Sequence, residues 1–99
     1  MIKPYWRMHL TGEQISEIES MAELFFGIGD IAANIEVDPL DLRDEILSES
    51  GPVYAAYKKG WLKGEIPLRK AIAQAAANGS NPAQAMLFDL RTKAQISNL

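Results

Sequence analysis

Asp30-Ile31-Ala32-Ala33-Asn34-Ile35-Glu36-Val37-Asp38-Pro39-Leu40-Asp41-Leu42-Arg43-Asp44-Glu45-Ile46 is the stretch that decides the fold. Ile31, Ala32 and Ile35 recur at the spacing of a buried helix face, and Leu42 and Ile46 do so again after a break. Between them, Asp38-Pro39 is a helix start: the carboxylate accepts from the first free backbone N–H groups. Proline at the first helical position lacks only an N–H that would be unpaired anyway. The pattern predicts a short helix capped by Asp30 and running through Asn34, a tight turn, and a third helix over 39 to 48.

Upstream, Thr11 followed by Gln14 matches a capping box, so a first helix starts there. Ile15, Ile18, Ala22 and Phe25 form its apolar face, Glu13, Glu17, Glu19 and Glu23 fall mostly elsewhere, and Gly27 with Gly29 is read as its stop. Residues 1 to 10, with Pro4 and alternating bulky side chains, suit an extended arm or short strand. Downstream, Ser50-Gly51-Pro52 opens a fourth helix carrying Val53, Tyr54, Tyr57, Trp61 and Leu62. Gly60, Gly64 and Pro67 predict a kink or break near 63 to 67. The apolar face resumes at Leu68, Ile72 and Ala75, Gly79 suits a left-handed cap, and Ser80 or Asn81 with Pro82 starts a last helix over Ala83, Met86, Leu87, Leu90 and Ala94. The expected fold is all-α: a single domain over 1–99, made of the arm (1–10), a helix-turn-helix-like three-helix unit (11–50) and a helical hairpin (51–99).

In a helix-turn-helix a small residue sits where the helices cross, an apolar residue ends the first helix and another follows the turn; Ala32, Ile35 and Val37 fit, as does Leu42. Glu36 stands where glycine is usual, so it either bears a steric cost or uses a different turn geometry. The second helix of the pair carries Asp41, Asp44 and Glu45 against one Arg43, a sign opposite to that favoured beside phosphate. Asp38, Asp41, Asp44 and Glu45 read as a solvated acidic helix face.

Charge is segregated along the chain although the net charge is only −3. Residues 1 to 50 hold three basic residues against eleven acidic, a balance of −8; residues 51 to 99 hold seven against two, a balance of +5. The cations gather as Lys58, Lys59 and Lys63 beside Tyr54, Tyr57 and Trp61, followed by Arg69 and Lys70. Lysines interleaved with aromatic rings suit a nucleic-acid backbone; equally, the rings can be core and the lysines solvated.

Length and composition exclude much else. Ninety-nine residues hold one thin core, and apolar surface left over from short helices is commonly covered by another subunit. The absence of cysteine removes disulfides, thiolate metal sites and cysteine nucleophiles, and fits a reducing cytoplasm. His9, the one histidine, has no second imidazole or thiol with which to share a metal or build a base. Gly27-Ile28-Gly29-Asp30 lacks both the third glycine of a dinucleotide loop and the Gly-Lys-Ser/Thr of a nucleotide loop. The expectation is a soluble cytoplasmic protein that binds, with no enzymatic activity, metal or cofactor.

Val53-Tyr54-Ala55-Ala56-Tyr57-Lys58-Lys59-Gly60-Trp61, then Leu68-Arg69-Lys70-Ala71-Ile72, then Ala75-Ala76-Ala77-Asn78-Gly79-Ser80-Asn81-Pro82-Ala83, following a helix-turn-helix-like start, resemble in order the small terminase subunits of tailed phages and prophages. The resemblance covers roughly residues 28 to 95. It implies a phage- or prophage-encoded protein in a bacterial host that binds double-stranded DNA, assembles into a ring and serves the large terminase subunit. The DNA-binding candidates are Lys58, Lys59, Lys63, Arg69, Lys70 and Arg43. A helix-turn-helix transcription regulator and a protein-only oligomeric module are the alternatives.

Overall fold

The computed structural model describes residues 8–98, and all of their regular structure is helical: α1 (Gly12–Glu23), α2 (Ile28–Ile35), α3 (Pro39–Leu47), α4 (Gly51–Ala77) and α5 (Asn81–Ser97). The all-α expectation holds. Most of the arm expected over 1 to 10 lies outside the described residues, and 8 to 10 carry no regular structure. The chain divides into two compact units, one ending at Gly64 and the other beginning at Glu65.

In the first unit, the apolar positions read from the periodicity close one core. Ile18 of α1, Ile31, Ala32 and Ile35 of α2, Leu42 and Ile46 of α3, and Val53 and Ala56 of α4 are buried together, with Met8, Leu10, Ile15, Met21, Ile28, Val37 and Tyr57 packed around them. The helix starts form as expected at two places. Thr11 Oγ1 accepts from Gln14 N–H at 3.1 Å while Gln14 Oε1 accepts from Thr11 N–H at 2.9 Å. Asp38 accepts from the N–H groups of Leu40 and Asp41 at 2.8 and 3.2 Å, ahead of Pro39.

Two helix ends depart from expectation, and a third settles between the alternatives left open. Neither Gly27 nor Gly29 stops α1; Phe25 does so in the left-handed region (φ 63°), with Phe25 N–H donating to Ala22 and Phe26 N–H to Met21. This two-bond closure usually employs glycine, and a side chain there costs about 1–2 kcal/mol. The Phe25 ring meets Trp61 edge-on at 5.6 Å, a contact that offsets the cost. Asp30 does not cap α2: Gly27 occupies that position without a side-chain bond, and Asp30 lies in the first turn, where its charge faces the positive end of the helix. Glu36 resolves the question of the turn by adopting the glycine-like conformation itself (φ 61°, ψ 49°), with Val37 N–H closing on the Ala32 carbonyl at 3.0 Å.

Of the kink or break expected near 63 to 67, the break does not occur: α4 is continuous with Pro67 in its interior. Proline forfeits one backbone bond, and the Glu65–Arg69 ion pair (2.8 Å) straddles it on the same helix. Gly60 and Gly64 do not interrupt the helix. They are where the backbone of α1 rests on α4: a Cβ added to Gly60 would stand 2.1 Å from the Glu19 carbonyl oxygen, and one added to Gly64 would stand 2.1 Å from that of Glu23. Only hydrogen fits there.

The second unit is the C-terminal part of α4 joined to α5 by a tight turn. Gly79 (φ 98°) takes the expected left-handed cap, with Gly79 N–H bonded to Ala76 and Ser80 N–H to Ala75. Ser80 then caps α5 by accepting from Ala83 N–H at 3.3 Å, ahead of Pro82. Gln84 ties the two segments by donating to the Ala76 carbonyl at 3.1 Å. Among the described residues, only Ala76 and Ala83 are buried here.

Gly60→Ala and Gly64→Ala are each expected to destabilise by about 1–3 kcal/mol through overpacking against fixed backbone. Gly29→Ala, where an added methyl meets open space within α2, is expected to stabilise by about 0.5–1 kcal/mol. Urea unfolding midpoints of the three variants check both signs.

Candidate nucleic-acid interface

The six cations proposed from sequence divide by their surroundings. Because Gly60 and Gly64 face the backbone of α1, the neighbouring Lys59 and Lys63 are carried toward the carboxylates of that helix. Lys63 Nζ reaches Glu19 Oε2 at 2.5 Å. That hydrogen bond holds the Glu19 carboxyl below its ordinary range, with attraction to Lys63 and Lys59 adding to it; the same bond, reinforced by attraction to Glu19 and Glu23, holds Lys63 above its own. In the second unit Arg69 Nε is paired with Glu65. Lys58, Lys59, Lys70 and Arg43 are exposed and form no ion pair among the described residues.

The aromatic side chains interleaved with the lysines face inward. Tyr57 packs on the core, Trp61 is half-buried against Phe25, and Tyr54 is half-buried as well. They stiffen the fold and offer little free ring face for stacking bases.

On α3, Leu42 and Ile46 point into the core, and so does Glu45, which the charge pattern had placed on a solvated face. Glu45 is 5% exposed and its Oε1 accepts the Met8 N–H at 2.9 Å, fastening the chain ahead of α1. The outward side of α3 presents Leu40 (66% exposed), Arg43, Asp44 and Leu47 (63% exposed). A helix that reads a major groove carries cations and amides on this side. Here a single cation, Arg43, stands among two leucines and an acid.

A shallow cavity of about 280 Å³ lies between α1 and α2, lined by Glu13, Gln14, Glu17, Asn34, Ile35 and Glu36. Gln14 donates to the Ile35 carbonyl and Asn34 to Glu17, so these groups are engaged with one another. No group of three or more histidine or carboxylate side chains converges on a metal-sized site among the described residues, and no helix there is long and apolar enough to cross a membrane.

The second unit, with little buried core of its own, exposes large apolar side chains. Ile66, Leu68, Met86, Leu87, Phe88 and Ile96 are all open to solvent. Ala76, Gln84, Leu87, Phe88 and Arg91 line a depression of about 240 Å³, and the Arg91 guanidinium lies 5.0 Å from the centre of the Phe88 ring. The sequence placed Met86 and Leu87 on one apolar face of the last helix; that two helices cannot close over such a face is a matter of their number, which periodicity alone does not weigh.

Comparison with known proteins gives no match to a family model, a curated protein or a solved structure.

The Glu19–Lys63 pair is complete between the lowered Glu19 range and the raised Lys63 range. The stability it adds is lost as pH falls through the former or rises through the latter. In Lys63→Met, the Glu19 carboxyl is expected to titrate at higher pH than in the parent protein, as followed by carboxyl carbon chemical shifts.

Proposed function

We propose that this chain is a self-associating adaptor of the phage DNA-packaging kind, similar in role to a small terminase subunit, that holds the DNA backbone through Lys58 and Lys59 and not through α3. One observation carries the reading. Among its described residues, the unit from Glu65 onward buries only Ala76 and Ala83 and leaves six large apolar side chains in water. Covering a side chain of that size is worth about 1.5–3 kcal/mol, and two short helices cannot cover six of them unaided. A second copy of the chain is the natural cover. Lys58 and Lys59 are the part of the basic run on α4 in the first unit that α1 leaves without an ion pair, and they give the body a place to meet phosphate.

The protein-only module is the second reading, favoured by the leucines and acids on the outward side of α3 and by the engagement of Lys63 with Glu19. A transcription regulator fits less well, since its recognition helix would need the opposite chemistry.

Mobility shifts with mixed-sequence duplex at low salt, run beside light scattering, separate these readings. The adaptor reading expects a defined oligomer that shifts duplex. It expects Lys58→Glu/Lys59→Glu to weaken the complex and flatten its salt dependence by about one unit per lost phosphate contact, while Arg43→Ala changes little. An oligomer that shifts no duplex supports the protein-only module; a monomer at every concentration overturns both.

A further inference from the structure

We propose that the outward face of α3 is a docking surface for the hairpin of a second copy of this chain, with Leu40 and Leu47 of one copy packing beside Phe88 and Arg91 of the next. The inference rests on the self-association reading and goes beyond it by naming the two faces. Leu40 and Leu47 are seven residues apart, so they stand in line on one side of α3. They are 66% and 63% exposed on a helix whose other apolar residues, Leu42 and Ile46, are within 6% of full burial. Two leucines held in register outside a complete core form a stripe that water does not stabilise.

The hairpin supplies a matching surface. Its depression is bounded by Leu87 and the 62%-exposed Phe88 and rimmed by Arg91, an apolar floor with a cationic edge. Charge complements shape. Residues up to 64 hold six basic residues against eleven acidic, a balance of −5; residues from 65 hold four against two, a balance of +2. On α3 the leucines are flanked by Asp41 and Asp44 with Arg43 between them, and on α5 Phe88 is followed by Asp89, which is paired with Lys93, and by Arg91, which lies over the Phe88 ring. Opposite signs steer the two faces together, and like signs disfavour α3 against α3. Because the faces differ, the contact is head-to-tail: each copy presents one of each, and repetition closes a ring or extends a chain. Such a contact buries the side of α3 that a helix-turn-helix would offer to DNA.

The chain has no cysteine, which makes the contact directly testable by cross-linking. Leu47→Cys and Phe88→Cys copies, distinguishable by a mass tag, are mixed and oxidised. The expected main product is the mixed disulfide, with little self-linked Leu47→Cys. Leu40→Ser/Leu47→Ser, altered only at exposed positions and checked for retained helicity by circular dichroism, is expected to weaken self-association at least about tenfold, the equivalent of 1.4 kcal/mol. Self-linked products in place of the mixed one overturn the proposal. So does a Leu47→Cys/Phe88→Cys chain that closes on itself at high dilution, which would assign the α3 face to the chain's own hairpin. If light scattering shows an oligomer but no mixed disulfide forms, this docking fails while the self-association reading survives. If the parent protein is monomeric throughout, both fail.

Discussion

Two hydrogen atoms set the position of α1. At Gly60 and Gly64 the backbone of α4 comes so close to the carbonyls of Glu19 and Glu23 that no side chain fits between them. Gly-x-x-x-Gly puts both glycines on one side of a helix, and a crossing at backbone distance fixes everything beside it. Lys63 is delivered to Glu19, and the turn after α1 brings Phe25 onto Trp61. The left-handed Phe25 belongs to the same arrangement, its ring contact offsetting part of the cost of a side chain where glycine is usual. The electrostatics of the basic run is thereby decided by packing: one of its lysines is committed to α1 because a glycine next to it admits that helix.

What was legible in the sequence is what closes locally. Thr11 with Gln14, Asp38 with Pro39, and Gly79 followed by Ser80 and Pro82 each complete their hydrogen bonds within a few residues, and all three form as read. The buried faces of α1, α2 and α3 were legible as well, because a 3.6-residue period marks them independently of any partner. The illegible features have distant partners. Glu45 is buried by a backbone N–H 37 residues away, and Lys63 is paired with a carboxylate 44 residues away; neither spacing leaves a local trace. Gly60 and Gly64 were misread for a different reason. Glycine both weakens a helix and permits close approach, and which role applies depends on whether another backbone arrives. Pro67 does not end α4, because one lost hydrogen bond is a cost that a long helix absorbs, not a stop.

Of the proposed site, the sequence correctly gathered the cations on α4 but could not say which of them α1 would engage. The acidity of α3 was visible; that its outward side also carries two exposed leucines was not, since Leu40, Leu42, Ile46 and Leu47 look alike until the core selects two of them. The same selection, carried to the hairpin, leaves much of the apolar face of α5 in solvent. A first unit that completes its own core and a second that does not are physically different objects, and the difference points outward to another copy of the chain.

Hydrogen exchange along the chain at several protein concentrations tests that point most directly. If the hairpin is covered by self-association, the backbone amides of 81–97 exchange more slowly as concentration rises, while those of the α1 and α2 core hold constant. Amides of α5 that are equally protected at every concentration would show that the hairpin is stable alone, and would contradict the account.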